Sequence, residues 1–161
     1  MASPKSFSKT QIVLHWLIVL AVLFQYVAHD SIEELWRGRL RGTIPNEPTP
    51  DIHVAMGIVI LVLMVWRIWL LIRNGAPAPS GNEPAWGRIL AKSVQGLIYL
   101  SLFALPLSGM AGWFFGAGAA IQAHGLIKNL LLLLILVHIA GALAQQFVFK
   151  SDALMRMLGR A

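Results

Sequence analysis

Apolar residues gather into four long runs, with the polar residues collected in the gaps between them. The first run spans about residues 10–28 and the second about 51–72; the third and fourth span about 86–115 and 120–149. Each is close to or above the roughly 20 residues needed to cross a bilayer as a helix. The pattern predicts an all-α integral membrane protein, a four-helix transmembrane bundle. Thr49-Pro50-Asp51 introduces the second span as a start signal: a Thr cap, Pro in the first turn, then an acid at the positive end of the helix dipole. Pro106 predicts a kink in the third span, and the fourth is long enough to protrude from the bilayer.

The gaps differ in character. Residues 29–50 are charged and include Trp36, residues 74–85 are rich in Pro and Gly, and residues 116–119 are small and uncharged. Four spans and short connections use nearly all of the 161 residues, so residues 1–161 are read as one domain. Lys5 and Lys9 ahead of an apolar run resemble a signal peptide, but no small-x-small cleavage site precedes Asp30, Glu33 and Glu34, and the run is kept as a span.

Composition agrees with a bilayer setting: 57% of residues are hydrophobic and 12% charged, against roughly a quarter charged in soluble domains. The formal charge of +6 does not point to nucleic acid, because the basic residues sit beside apolar spans rather than on one polar face. Lys5, Lys9, Arg67, Arg73, Arg88, Lys92, Lys150, Arg156 and Arg160 fall at the N-terminus, the second connection and the C-terminus. In the first connection Arg37, Arg39 and Arg41 face Asp30, Glu33, Glu34, Glu47 and Asp51. The positive-inside rule then places both termini in the cytoplasm and the first and third connections outside. The chain has no cysteine, which excludes disulfides, Cys-based zinc and iron–sulfur sites, and covalent c-type haem.

Four of the five histidines fall inside predicted spans, where an ionisable side chain is costly and usually has a partner within the bundle. His124 and His138 share the fourth span. Their spacing of 14 residues (138 − 124) returns to within about 40° of the same face, some 21 Å further along the axis. One helix thus offers two imidazoles at two depths. His53 lies at the outer depth with His124, and His15 at the inner depth with His138. Paired imidazoles at one depth, with no thiolate available, suit the two axial positions of a haem iron. The pairing predicted is His53 with His124 and His15 with His138, holding two non-covalent b haems. Filling both axial positions disfavours oxygen binding and favours electron transfer.

Gly57, Gly125 and Gly141 with Ala142 stand near these histidines and leave room for a flat ring, although small residues also serve helix packing in membranes. Arg67, 14 residues from His53 on its face, and Lys128, one turn after His124, are read as partners for haem propionates or an anion. Arg73 and Lys92 are read as snorkelling to headgroups. His29 is read as solvated, and Trp16, Trp36, Trp69, Trp86 and Trp113 as interfacial belt residues with Trp66 deeper. Gln95, Gln145 and Gln146 can hydrogen-bond a quinone carbonyl, with helix contacts as their plainer use. A metal or proton pathway lined by histidine is the rival reading; it normally adds intramembrane carboxylates, and Asp51 and Glu83 lie at or outside span ends.

Several stretches together resemble the bacterial cytochrome b561 family: LHW at 14–16, DIHVAMG with ILVLMVWR at 51–67, LIYLSLFALPLSG at 97–109, HGLIKNLLLLLILVH at 124–138 and FKSDALMRML at 149–158. The resemblance covers nearly the whole chain. It implies a four-helix bacterial inner-membrane protein with two b haems on His15, His53, His124 and His138. It also implies electron exchange with membrane quinone, and superoxide as a candidate donor at the outer face. Gln95, Gln145 and Gln146 stand where some relatives carry histidine, which separates this chain from them in any quinone or proton-coupling site. The second functional reading is a haem-bearing membrane anchor that passes electrons for a soluble dehydrogenase partner.

Overall fold

The computed structural model describes residues 4, 6–43, 51–78 and 83–160. Among these are six helices: α1 (Lys9–Val27), α2 (His29–Leu40), α3 (Ile52–Asn74), α4 (Ala85–Phe115), α5 (Gly118–Phe147) and α6 (Ala153–Met157). α1, α3, α4 and α5 are each long and apolar enough to cross a membrane, and their ends fall within two residues of the sequence expectation. Their outward side chains are apolar; Leu20, Val62, Leu100 and Leu126 are all more than half exposed. Such a surface suits acyl chains and would be an aggregation liability in water.

The buried core is correspondingly thin. Ile18 and Val22 of α1, Ile60 and Met64 of α3, Leu102 of α4 and Leu131 of α5 meet at its centre. α4 packs most extensively on α5, α1 lies on α3, α3 on α4, and α6 folds against α5. Polar ties complete the bundle: Tyr26 Oη donates to Lys128 O at 2.7 Å, and Trp16 Nε1 donates to Met157 O at 3.0 Å.

Local chemistry sets the helix ends. A capping box opens α1, with Ser8 N–H donating to Gln11 Oε1 at 2.9 Å and Gln11 N–H to Ser8 Oγ at 3.3 Å; such a cap contributes about 1 kcal/mol. Gln11 Nε2 also reaches Gly75 O at 3.1 Å, tying the start of α1 to the end of α3. The cap of α3 is Asp51, whose carboxylate accepts from His53 N–H at 2.7 Å; Thr49 and Pro50, expected to supply the start signal, lie outside the described residues, as does Lys5. α4 and α5 are joined by Gly116 and Ala117 alone. Gly116 adopts φ 65°, the left-handed conformation that glycine takes without steric cost. Its N–H bonds Gly112 O at 3.0 Å, closing the helix end.

α4 runs as one helix through Pro106, with Ser108 Oγ donating to Ala104 O at 2.7 Å and Leu105 O at 3.1 Å. One feature departs from the sequence reading. The charged segment after span one is a helix, α2, rather than a loop up to Leu40. Asp30 sits in its first turn and Arg37 and Arg39 in its last, each complementing the helix dipole, and Glu33 and Arg37 pair one turn apart. Residues 44–50 and 79–82 of the first two connections lie outside the described residues.

Candidate functional site

At the α2 end of the bundle a cavity of about 360 Å³ opens between α1, α3, α4 and α5, with α2 forming a further wall. Its size is within the range of ligand pockets. His53 and His124 both line it, their ring centroids 6.2 Å apart and their planes at 61°.

The two rings are prepared differently. His124 Nδ1 lies 2.9 Å from Leu105 O and 3.3 Å from Ser108 Oγ. A carbonyl only accepts, so Nδ1 carries the proton and the neutral ring keeps its lone pair on Nε2. A metal-binding histidine is held the same way, with its second nitrogen tied to a carbonyl. His53 has its backbone fixed on both sides, by Asp51 at the amide and by Gln25 Nε2 at the carbonyl, 2.9 Å away. Its Nδ1 is buried with no hydrogen-bond partner among the described residues, a rare condition for a polar atom.

Glycine makes the space. A Cβ on Gly109 would stand 3.1 Å from His124 Cε1 and 3.2 Å from Nδ1, so the ring occupies volume that any other residue there would contest. A Cβ on Gly125, which also lines the cavity, would meet nothing within 4 Å, and the same holds at Gly141.

The structure adds residues to this site that the sequence reading left out. His29 lines the cavity rather than standing in solvent; its ring centroid is 6.1 Å from that of His53, and its Nε2 is 2.8 Å from Lys128 Nζ. Trp36 and Trp113 likewise line the cavity instead of serving only as belt residues. Trp113 is 6% exposed and lies beneath the Arg39 guanidinium, 3.6 Å from its ring centroid. His29, Ile32, Glu33 and Trp36 follow one another at helical spacing, the signal that identifies the inward face of α2.

At the other end, His15 and His138 are both half-buried and both lie within electrostatic range of Arg67, and His138 within range of His15. Arg67 is 8% exposed. Its Nε donates to Tyr99 Oη at 3.1 Å and a terminal nitrogen to Gln11 O at 2.9 Å. Among the described residues no carboxylate lies within ion-pair distance of it. Gln145 Nε2 approaches Glu83 Oε2 at 3.4 Å, Gln146 Oε1 is buried and unpartnered among the described residues, and Gln95 and Lys92 are exposed. Arg73 lies over the Trp69 ring, 5.2 Å from its centroid.

Comparison with known proteins fixes the family. A profile of the prokaryotic cytochrome b561 family matches residues 6–160. The chain belongs to that family. It is 34% identical to cytochrome b562 of Cereibacter sphaeroides over 158 residues, covering 98% of both chains. Cytochrome b561 homolog 1 of Escherichia coli is 30% identical over 180 aligned positions, covering 96% of this chain and 97% of the relative. A protein of Yersinia pestis named probable superoxide oxidase is 32% identical over 180 aligned positions, covering 96% of each. This cytochrome b561 is thus a multi-pass bacterial membrane protein of electron transport, and membership implies haem b.

The residues present fit that group. Among the described residues no set of three or more His, Asp or Glu side chains is arranged to hold a bare metal ion, but a porphyrin supplies four donors of its own and asks the protein only for an opposed pair. His53 and His124 stand 6.2 Å apart beside apolar space, chemically suited to that demand, and Arg67 is a buried cation suited to a porphyrin carboxylate. Gly109→Val is expected to push the His124 ring off Leu105 O and to lower the haem content of the purified protein by at least half of one equivalent, while helix content stays unchanged by circular dichroism. Full haem content in that variant would show that the ring tolerates a neighbour there.

Proposed function

We propose that this cytochrome holds two b haems, on His53 with His124 at the outer face and on His15 with His138 at the inner, and moves electrons from an outer donor to membrane quinone. The observation that supports this most is the closeness of the His53 and His124 rings in the outer cavity, 6.2 Å between centroids, with the Nδ1 proton of His124 committed to Leu105 O. Bound haem supplies reversible one-electron exchange. The protein's own contribution is position: His53 with His124 and His15 with His138 would hold the haems, Arg67 would offer a cation to a haem carboxylate, and Lys128 would draw an anion to the outer cavity.

Superoxide is the donor proposed. Its one-electron oxidation yields dioxygen, and two such electrons with two protons convert a quinone to its quinol. The name carried by the Yersinia pestis relative supports this reading, as does the Lys128 ammonium beside the cavity. The orientation proposed is that of the positive-inside count: both termini cytoplasmic, the chain a single domain of the bacterial inner membrane, with α2 outside.

The test uses the full chain in detergent. The purified protein is expected to be red, to carry two haems, to show b-type bands when superoxide is generated, and to lose those bands when quinone is added. A colourless protein would defeat the haem reading; a red protein that superoxide fails to reduce would defeat the donor.

A further inference from the structure

His29 is the member of the outer cluster that no ligand role explains. It is the first residue of α2, and it meets Lys128 of α5 with Nε2 2.8 Å from Nζ. An ammonium only donates, so His29 Nε2 accepts and its ring is neutral with the proton on Nδ1. The α5 backbone at Lys128 is tied to α1, because its carbonyl oxygen accepts from Tyr26 Oη at 2.7 Å. Three helices therefore converge on one lysine.

The neighbouring acid does not cancel that lysine. Glu33 Oε2 is 3.7 Å from His29 Nε2, but its Oε1 is paired with Arg37. Among the described residues no carboxylate lies within ion-pair distance of Lys128. A lysine stem is flexible and its ammonium strongly hydrated, so an unrestrained Lys128 would carry its charge out to water. His29 instead holds the charge beside the cavity that both residues line.

We propose that His29 is a positioning residue: by holding the Lys128 ammonium at the outer cavity it raises the reduction potential of the outer haem relative to the inner. The inference rests on the di-haem reading given above. A fixed positive charge in a low-dielectric setting stabilises the reduced, less positive iron, and the effect falls away once the charge moves into water and is screened. A raised outer potential favours uptake of an electron from a weakly reducing donor.

The experiment is a potentiometric titration of the full chain in detergent, with each midpoint assigned through His124→Ala and His138→Ala. His29→Phe keeps a ring and loses the acceptor; Lys128→Met removes the charge; His29→Gln supplies a neutral acceptor again. His29→Phe and Lys128→Met are each expected to lower the outer midpoint and leave the inner one in place. The double variant is expected to fall no further than Lys128→Met alone, and His29→Gln to recover most of the shift. An outer midpoint unmoved in His29→Phe at full haem content overturns the proposal, as does a double variant in which the two shifts add, because His29 would then act independently of Lys128. A parent protein without haem would instead overturn the reading on which the proposal stands.

Discussion

His124→Ala is expected to purify with one haem per chain, and His138→Ala with one haem of different midpoint potential. The two histidines sit on one helix, separated by about 21 Å along its axis, and residues that far apart act independently on local binding. Loss of His124 leaves His53 unopposed and frees Leu105 O, while the inner pair keeps both of its members. The α5 backbone gives no reason for wider damage: His124 is half-buried, and alanine is the best helix former. Haem content, measured after extraction and set against protein concentration, should fall by half in each variant. The reduced-minus-oxidised spectra of the two variants should then sum to that of the parent. Loss of both haems in each variant, or of neither, would refute independent sites at two depths.

Much of this was legible before the structure because a helix in a membrane leaves the chain few alternatives. Every backbone amide must be satisfied within the segment, so an apolar run of sufficient length is a helix, and spacing along it becomes geometry. That is why α1, α3, α4 and α5 fall within two residues of expectation, and why His124 and His138 are readable as one face at two depths. α2 escaped for the converse reason. Its inward residues His29, Ile32, Glu33 and Trp36 alternate with Asp30, Glu34 and Arg37, and in a short charged segment the charges hide the apolar stripe.

Contacts between helices were less legible than the helices themselves. Gly109 lies 15 residues from His124 in sequence (124 − 109), and only the two-residue corner at Gly116 and Ala117 folds α4 back to bring them together. Trp113 reads as a belt residue from its place near a span end, but Arg39 comes from α2 to cover it. Asp51 illustrates a smaller shift, since the acid expected to follow the cap of α3 is itself the cap. In each case the deciding partner comes from an element that local pattern does not specify.

Arg67→Met is expected to cost the inner haem its affinity, and the sign of the stability change is what gives this variant its force. Arg67 is 8% exposed among apolar helices, and among the described residues its hydrogen-bond partners are the neutral groups Tyr99 Oη and Gln11 O. An uncompensated buried cation carries a desolvation cost of several kcal/mol. If nothing anionic ever joined it, exchange for a methionine of similar length would stabilise the protein, as replacement of buried ionic groups by apolar ones often does. A haem carboxylate beside His15 and His138 would reverse that balance. Removing one partner of a buried charge pair costs about 3–5 kcal/mol, which corresponds to a loss of roughly 10²- to 10⁴-fold in inner-haem affinity. Arg67→Lys keeps the charge but gives up the planar fork and should fall between the two. The measurement pairs inner-haem content with thermal stability of the haem-depleted chain: haem loss with a more stable depleted chain is the expected combination. Full inner-haem occupancy in Arg67→Met would remove Arg67 from the site and leave its buried charge without a purpose.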